Sequence, residues 1–506
     1  MQTQVLWQDT ADKPPVFPVL EENLEADVLI IGAGITGLIA AYNLMTQGFN
    51  VLVVERDTVG NGTTGNSSGN LYVPVQPYFQ NVIKKFNVDI AKDVAQARKF
   101  AIDFIQNLIL KLKIDCKFSR RPWFLYASNE KEIDFLDKEM ESFKKCDVNV
   151  HSVPELPLPL KFKKCIQLDK QARFNPYQFC IKLAEYLQEN GCKIFQNTEV
   201  SEIQEKHKCT VITPKAKISA QNVIIATHTP LGINSVQIFT APYRSYVVAA
   251  TLKEDYYPEG HFWDLSQPHH AICTQPWKTD APGLVLIAGN HHKTGQDKDA
   301  IANYAALTQH LQQQLNIQEI AYRWSAQHYH SADDLPYIGL AHRNSKLTYM
   351  ATGYFADGLV YGALAGVMLC EAILNKENTW NKTFNSRRFT PLASAAFLAK
   401  ENVNVLTQYL KDMPFCNSHD FSTVKNNEGK VLEINSEKCG VYRDDNGNLH
   451  IVSAVCTHMK CIVNWNNAEK TWDCPCHGSR FTTHGEVIEG PAISALEKKP
   501  IGKYQK

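Results

Sequence analysis

The sequence predicts an α/β domain that carries an inserted α+β domain and is followed by a small all-β domain, and three observations carry that prediction. A continuous apolar run of strand length, Asp27 to Ile31 (DVLII), meets the Gly-rich turn GAGITG, a helically spaced segment (LIAAYNLMTQG) and a second strand (NVLVVE), which together read as a βαβ unit. Strands of the same apolar character return far downstream, in NVIIATHTPLG and LTYMATGYFADGLVYG, so the first sheet draws on separated stretches of chain. Short strand-like runs begin near Thr423, and four cysteines and two histidines crowd between Cys456 and His477, too densely for packing alone.

The composition bounds the function before any motif is read. At 506 residues, 44% hydrophobic and 10% aromatic, the chain can build about three cored units of ~150 residues each. Its 52 basic and 52 acidic residues cancel, which disfavours nucleic acid or an anionic membrane surface as a partner. The longest apolar stretches, Asp27 to Ala41 and Gly358 to Leu374, are short of the roughly 20 residues of a membrane span or carry Gly and polar residues, so no transmembrane segment is expected. The first residues lack both a secretory and a transit pattern, and the expected address is the cytoplasm. Cys116, Cys146, Cys165, Cys180, Cys192, Cys209, Cys273 and Cys370 lie without motif spacing and read as reduced core residues.

In chain order, residues 1–25 read as a leader. The first domain is discontinuous, over 26–82, 166–235 and 329–378, and the inserted domain takes 83–165 and 236–328. Residues 379–415 form a linker of mixed helix and loop, and 416–506 the all-β domain. Lys-rich helices such as KDVAQARKFAIDFIQNLILKLK present a solvated face.

Gly32, Gly34 and Gly37 fit G-x-G-x-x-G, whose glycines allow a tight turn, close approach of backbone to a pyrophosphate and close helix–strand packing. Glu55, at the end of the second strand, is placed to accept from ribose hydroxyls. This pattern does not separate FAD from NAD. Extended over LIAAYNLMTQGFNVLVVER and the GNGTTGNSSGNL loop, however, the chain resembles the D-amino-acid oxidase-like family of FAD-dependent amine and amino-acid oxidoreductases. The resemblance runs from Asp27 to about Asn375. It implies flavin contacts at Arg56, at Thr63, Thr64, Gly65 and Ser67, at a strand around Val200, at Thr227 within ATH, and at Gly353, Gly358 and Leu359 beside the isoalloxazine.

Cys456-Thr457-His458 and Cys474-Pro475-Cys476-His477 give C-x-H and C-x-x-H. Two thiolates suit one iron and two imidazoles the other, the ligation of a Rieske 2Fe–2S centre, although zinc accepts the same ligand types. The surrounding CTHMKC, WDCPCHGSRF and GEVIEGPA resemble Rieske proteins loop by loop. In that resemblance Cys456, His458, Cys474 and His477 are the ligands, and Cys461 and Cys476 are the pair that the disulfide-type subclass joins. Ser479 would donate to a cluster sulfur, and Phe481 replaces a Tyr hydroxyl, which implies a potential below that of respiratory Rieske centres. Lys460 would offset part of that effect.

The whole chain resembles FAD-dependent oxidoreductases with a fused Rieske domain. This implies a dehydrogenase that oxidises a C–N bond of a small amine or amino-acid-like substrate by hydride transfer to flavin. Electrons would pass singly to the cluster and on to an external acceptor. An O2-dependent oxidase with a structural or regulatory cluster, and a non-enzymatic redox sensor or carrier, are the alternatives. A Rieske oxygenase needs an iron-binding domain after the cluster, and only residues 478–506 follow His477. A pyridine-nucleotide-dependent reductase needs a second βαβ unit opening on G-x-G-x-x-G for its own nucleotide, and no such unit is read in the sequence. For substrate contacts, Arg244 in APYRSYVVA offers a fork for a carboxylate and Tyr246 a hydrogen-bond partner. His328 is the third candidate catalytic residue, among His228, His291, His292 and His330. Acidic residues often stand in the family at the positions of His328 and of Asn290-His291, and their loss here leaves the substrate open.

Overall fold

The computed structural model describes residues 3–253, 257–276, 283–411 and 420–500. The apolar run becomes the fully paired strand Leu24–Ile31, flanked in parallel register by Val51–Val54 (Leu29 opposite Leu52) and Lys217–Ile225 (Leu29 opposite Val223). Burial on both faces is why these strands read as continuous rather than alternating hydrophobics. The eight-stranded sheet runs Tyr337–Leu340, Thr348–Thr352, Lys217–Ile225, Leu24–Ile31, Val51–Val54, Lys193–Phe195, and the Glu202–Glu205 and Cys209–Ile212 hairpin extends the Lys217–Ile225 strand. Helices Ile35–Thr46 and Gly358–Ile373 pack closely against one another. Gly366 permits that approach, since a Cβ there would lie 2.8 Å from the Thr36 carbonyl oxygen.

A nine-stranded sheet forms the inserted domain, in the order Ile317–Ser331, Thr240–Leu252, Leu284–Lys293, His270–Gln275, Gly260–Asp264, Ser119–Ala127, Lys164–Arg173, Asn70–Leu71, with His151–Val153 added beside Lys164–Arg173. Ile317–Ser331 is its edge, and a cavity of about 580 Å³ opens between the two large sheets and follows that edge. The C-terminal domain is a three-stranded and a four-stranded antiparallel sheet, with Trp472 fully buried in its core.

The sheets divide the chain elsewhere than the sequence suggests. Asn70–Leu71 and Lys164–Arg173 pair within the inserted sheet, and Ile317–Ser331 carries that sheet past residue 328, because a strand continues as long as a partner edge satisfies its backbone. Residues 1–25 are more than a leader: Leu6 and Trp7 are buried, and Trp7 Nε1 donates to the Ser67 carbonyl at 2.7 Å. The linker contains the long helix Pro391–Lys411, while its boundary at 415/416 lies outside the described residues. Val200 sits in a loop between Lys193–Phe195 and Glu202–Glu205 rather than in a strand. Among the described residues, no helix is long and apolar enough to cross a membrane.

Candidate functional site

The Gly-rich turn meets the end of the second strand where a dinucleotide would lie. A Cβ on Gly37 would stand 1.9 Å from the Gly32 carbonyl oxygen, so the turn closes this tightly only with glycine. The Glu55 carboxylate accepts from the Ala33 N–H at 2.8 Å and the Asp57 N–H at 3.0 Å, which anchors it at the rim; burial raises its pKa despite those bonds. Thr64 Oγ1 accepts from the Ile35 N–H at 3.2 Å, bringing the Thr/Gly/Ser loop over the first turn of the helix, and Thr63 Oγ1 meets His228 Nδ1 at 3.1 Å.

Gly32, Gly34, Glu55, Arg56, Thr63, Thr64, Ser67, Val200, Thr227, Gly358 and Leu359 all line the cavity. Gly37, Gly65 and Gly353 shape the backbone behind it, Gly65 N–H bonding Gly60 O and Gly353 holding φ +78°. A Gly-rich turn opening a helix, an acid at the strand end and a cavity lined by both together fit an FAD.

On the inserted sheet, strand alternation separates the three residues proposed for catalysis. Thr240–Leu252 pairs with Ile317–Ser331 so that Tyr243 faces His328, Arg244 faces Gln327 and Pro242 faces Tyr329, and cross-strand partners share a face. On one face Tyr243 stacks on His330 with ring centroids 4.1 Å apart, His330 stacks on Phe355, and His328 Nε2 meets His330 Nε2 at 3.1 Å. His291 stands edge-on to His328. Burial holds these imidazoles neutral, at about 4 for His291, about 3 for His330 and well below the usual value for His328.

Arg244 and Tyr246 belong to the other face. Arg244 Nη2 donates to both Glu469 oxygens, at 2.7 and 2.6 Å, and to Ser325. Tyr246 Oη meets His292 Nε2 at 2.9 Å and its ring packs edge-on against Tyr304. Of the two expected substrate contacts, Arg244 does line the cavity but its guanidinium already holds a carboxylate of the protein, while the Tyr246 phenol faces the helix Ala300–Gln314.

In the C-terminal domain, two loops bring Cys456, His458, Cys474 and His477 together. Cys456 N–H bonds Cys461 O and Cys474 N–H bonds Ser479 O, both at 2.8 Å, tightening each loop around its cysteine. Backbone amides of His458 and Met459 aim at the Cys456 sulfur and those of Cys476 and His477 at the Cys474 sulfur, with the Ser479 hydroxyl also beside Cys456. The two imidazoles cross at 83° with centroids 5.0 Å apart, and Nδ1 of each is buried without a partner.

Two thiols supplied with amide donors and two imidazole nitrogens left without a partner fit a 2Fe–2S cluster. Cys461 and Cys476 form a disulfide whose sulfurs both lie within 4.8 Å of Cys474 Sγ, so it braces the two loops beside the site. Phe481 is fully buried and brings no hydroxyl.

Sequence reasoning missed how this domain is held. Gln327 Nε2 donates to Gly478 O at 2.9 Å, Tyr329 Oη donates to His477 O at 3.2 Å and Gly490 O at 3.3 Å, and His458 Nε2 meets Gln237 Oε1 at 3.1 Å. Arg480 bonds Asp473 and Glu469, tying the Arg244 pair into one buried network; burial opposes ionisation of Glu469, but the two guanidiniums hold its carboxyl below the usual value. No local pattern around Gln237, Gln327 or Glu469 signals such a role, because each partner lies in another domain.

Comparison with known proteins agrees with both halves. The family profile described as FAD dependent oxidoreductase matches residues 27–372, and that of the Rieske 2Fe-2S domain matches 412–500. Bacillus subtilis YhfW, whose name marks it as a Rieske 2Fe-2S iron-sulfur protein, is 32% identical over 98% of this chain and 97% of its own. Gamma-glutamylputrescine oxidoreductase of Escherichia coli is 22% identical over 73% of this chain and 89% of its own. Among solved structures, glycine oxidase of Geobacillus kaustophilus superposes with a TM-score of 0.62 at 17% identity, covering 72% of this chain and 99% of that one, a likeness of fold.

Proposed function

Since the chain belongs to the FAD-dependent oxidoreductase family and carries a C-terminal Rieske 2Fe–2S domain, we propose that it is a dehydrogenase oxidising a C–N bond of a small amine, with an external one-electron acceptor served through the C-terminal domain. FAD supplies uptake of a hydride, and the cluster supplies uptake of single electrons. The chain's own residues do the rest. Gly32, Gly34 and Glu55 hold the dinucleotide, Thr63 and His228 order the wall beside it, and the sheet face bearing His328 closes the substrate side against water.

One observation carries the electron-exit part of this reading. The Tyr329 ring lies 4.9 Å from the His228 ring, which lines the flavin cavity, while its hydroxyl donates to the carbonyl of cluster ligand His477. A single buried side chain thus touches both cofactor sites. The relatives named for an amine and an amino-acid substrate support the C–N chemistry.

Anaerobic stopped-flow mixing with amines tests the proposal by following flavin absorbance and the cluster's low-temperature EPR signal. Flavin bleaching followed by a growing reduced-cluster signal is expected. Bleaching that only O2 reverses, with the cluster still oxidised, would mean an oxidase.

A further inference from the structure

We infer that the substrate is an uncharged amine without a carboxylate, bound as its free base against a wall of histidine and aromatic rings. The inference rests on the C–N reading above and narrows it. The wall opposite the flavin cradle is built by His291 and His328 from the inserted sheet, with Tyr354 and Phe355 from the loop before Gly358–Ile373 and Tyr72 beside them, while His269, which also lines the cavity, is held by Asp264 through its Nδ1. His328 is buried and His291 half-buried, and desolvation holds both uncharged. Among the described residues, every ionisable carboxylate or guanidinium that lines the cavity is placed elsewhere or already paired. Glu55, Arg56, Asp57 and Glu199 lie at the ribose end. Arg244, Arg480, Glu469 and Glu489 neutralise one another beyond the edge strand.

Arg173, behind the Ser67–Asn70 loop, is occupied by Ser68 O, Cys273 Sγ and the Trp7 ring. A substrate carboxylate would thus enter a dry wall with no cation to meet it, and an ammonium would find no anion. Each would lose its hydration without replacement. A free-base amine loses little on entry and can accept from an imidazole N–H while its carbon skeleton lies on the rings. Free base is also the form whose nitrogen lone pair assists loss of hydride from the adjacent carbon.

The test uses the FAD-loaded full-length protein and three probes of one shape: benzamide (neutral), benzoate (anion) and benzylamine (a cation at neutral pH), read by perturbation of the flavin absorbance. Benzamide is expected to bind at least about tenfold more tightly than either ion. Raising pH should tighten benzylamine about tenfold per unit while it remains mostly protonated, because only the free base is taken up. Benzoate binding as well as or better than benzamide overturns the inference, and so does pH-independent benzylamine binding or the absence of any preference.

The substrate arm compares anaerobic flavin reduction by N-methylaniline, uncharged at neutral pH, with that by the zwitterions sarcosine and L-proline. Faster reduction by the zwitterions also overturns the inference. If benzamide is preferred but no amine reduces the flavin while an alcohol does, the C–N reading fails and the charge assignment of the wall stands. His328→Asp supplies a second readout, with the preference expected to move toward benzylammonium.

Discussion

The two faces of the ladder formed by Thr240–Leu252 and Ile317–Ser331 do opposite physical work with neighbouring residues. One face carries Tyr243, His328 and His330, stacked and uncharged, and of these His328 lines the cavity. The other carries Arg244, Ser325, Gln327 and Tyr329, and binds the cluster domain through a charged network and carbonyl-directed hydrogen bonds. A strand reverses its faces at every residue, so the stacked rings and the residues that dock the cluster domain are interleaved one position apart. The ions on the docking face line the cavity too, and they persist there because each has a fixed partner in the protein.

The largest test of that division is Glu469→Ala. It leaves Arg244 buried without its main partner and Arg480 with Asp473 and Glu489 alone, and a loss of about 3–5 kcal/mol in the stability of the holoprotein is expected by urea unfolding. A loss under about 1 kcal/mol would mean that water reaches these ions and that the docking face is not a dry one.

Acid titration probes the opposite face. Burial lowers His228 and His291 from 6.5 to about 4 and His330 to about 3, so the unfolded chain takes up protons first as pH falls. Their contribution is complete above about pH 6.5 and is lost as pH drops toward 4, at most about 3 kcal/mol for His228 or His291. Thermal midpoints measured across that window check this, and a His330→Gln variant should flatten the acid limb.

Tyr329→Phe keeps the ring against His228 and removes both bonds to the cluster loop. It should cost about 1–2 kcal/mol and alter the reduced cluster's EPR signal while the flavin spectrum stays as in the parent. An unchanged cluster signal would weaken the view that this side chain joins the two sites. The smallest effect expected is that of Tyr246→Phe, about 1 kcal/mol from the lost His292 bond, with kcat/KM within about twofold of the parent. A large fall in kcat/KM would bring Tyr246 back to the substrate side.

Much of the site was legible because its parts are local. Gly32, Gly34, Gly37 and Glu55 sit within one βαβ unit, and Cys456, His458, Cys474 and His477 within two short loops, so spacing along the chain already implies proximity in space. The Cys461–Cys476 pairing followed from resemblance and is present. Arg244 and Tyr246 were placed beside a substrate by residue type and by resemblance, neither of which discloses that Glu469 and His292 already hold them. The ends of the inserted domain escaped for a related reason, since Asn70–Leu71 and Lys164–Arg173 are assigned by the neighbour they pair with and not by their own composition.

By itself, then, the sequence determined the two cofactors and the order of the domains, which rest on short motifs whose geometry the backbone imposes. Only the tertiary structure decided that Glu469 neutralises Arg244, that Gln237, Gln327 and Tyr329 clasp the cluster loops, and that the ions lining the cavity beside the edge strand pair with one another. Those outcomes depend on strand parity and on contacts between residues far apart in the chain. Burial then sets which charges persist, through the cost of removing an ion from water without a partner.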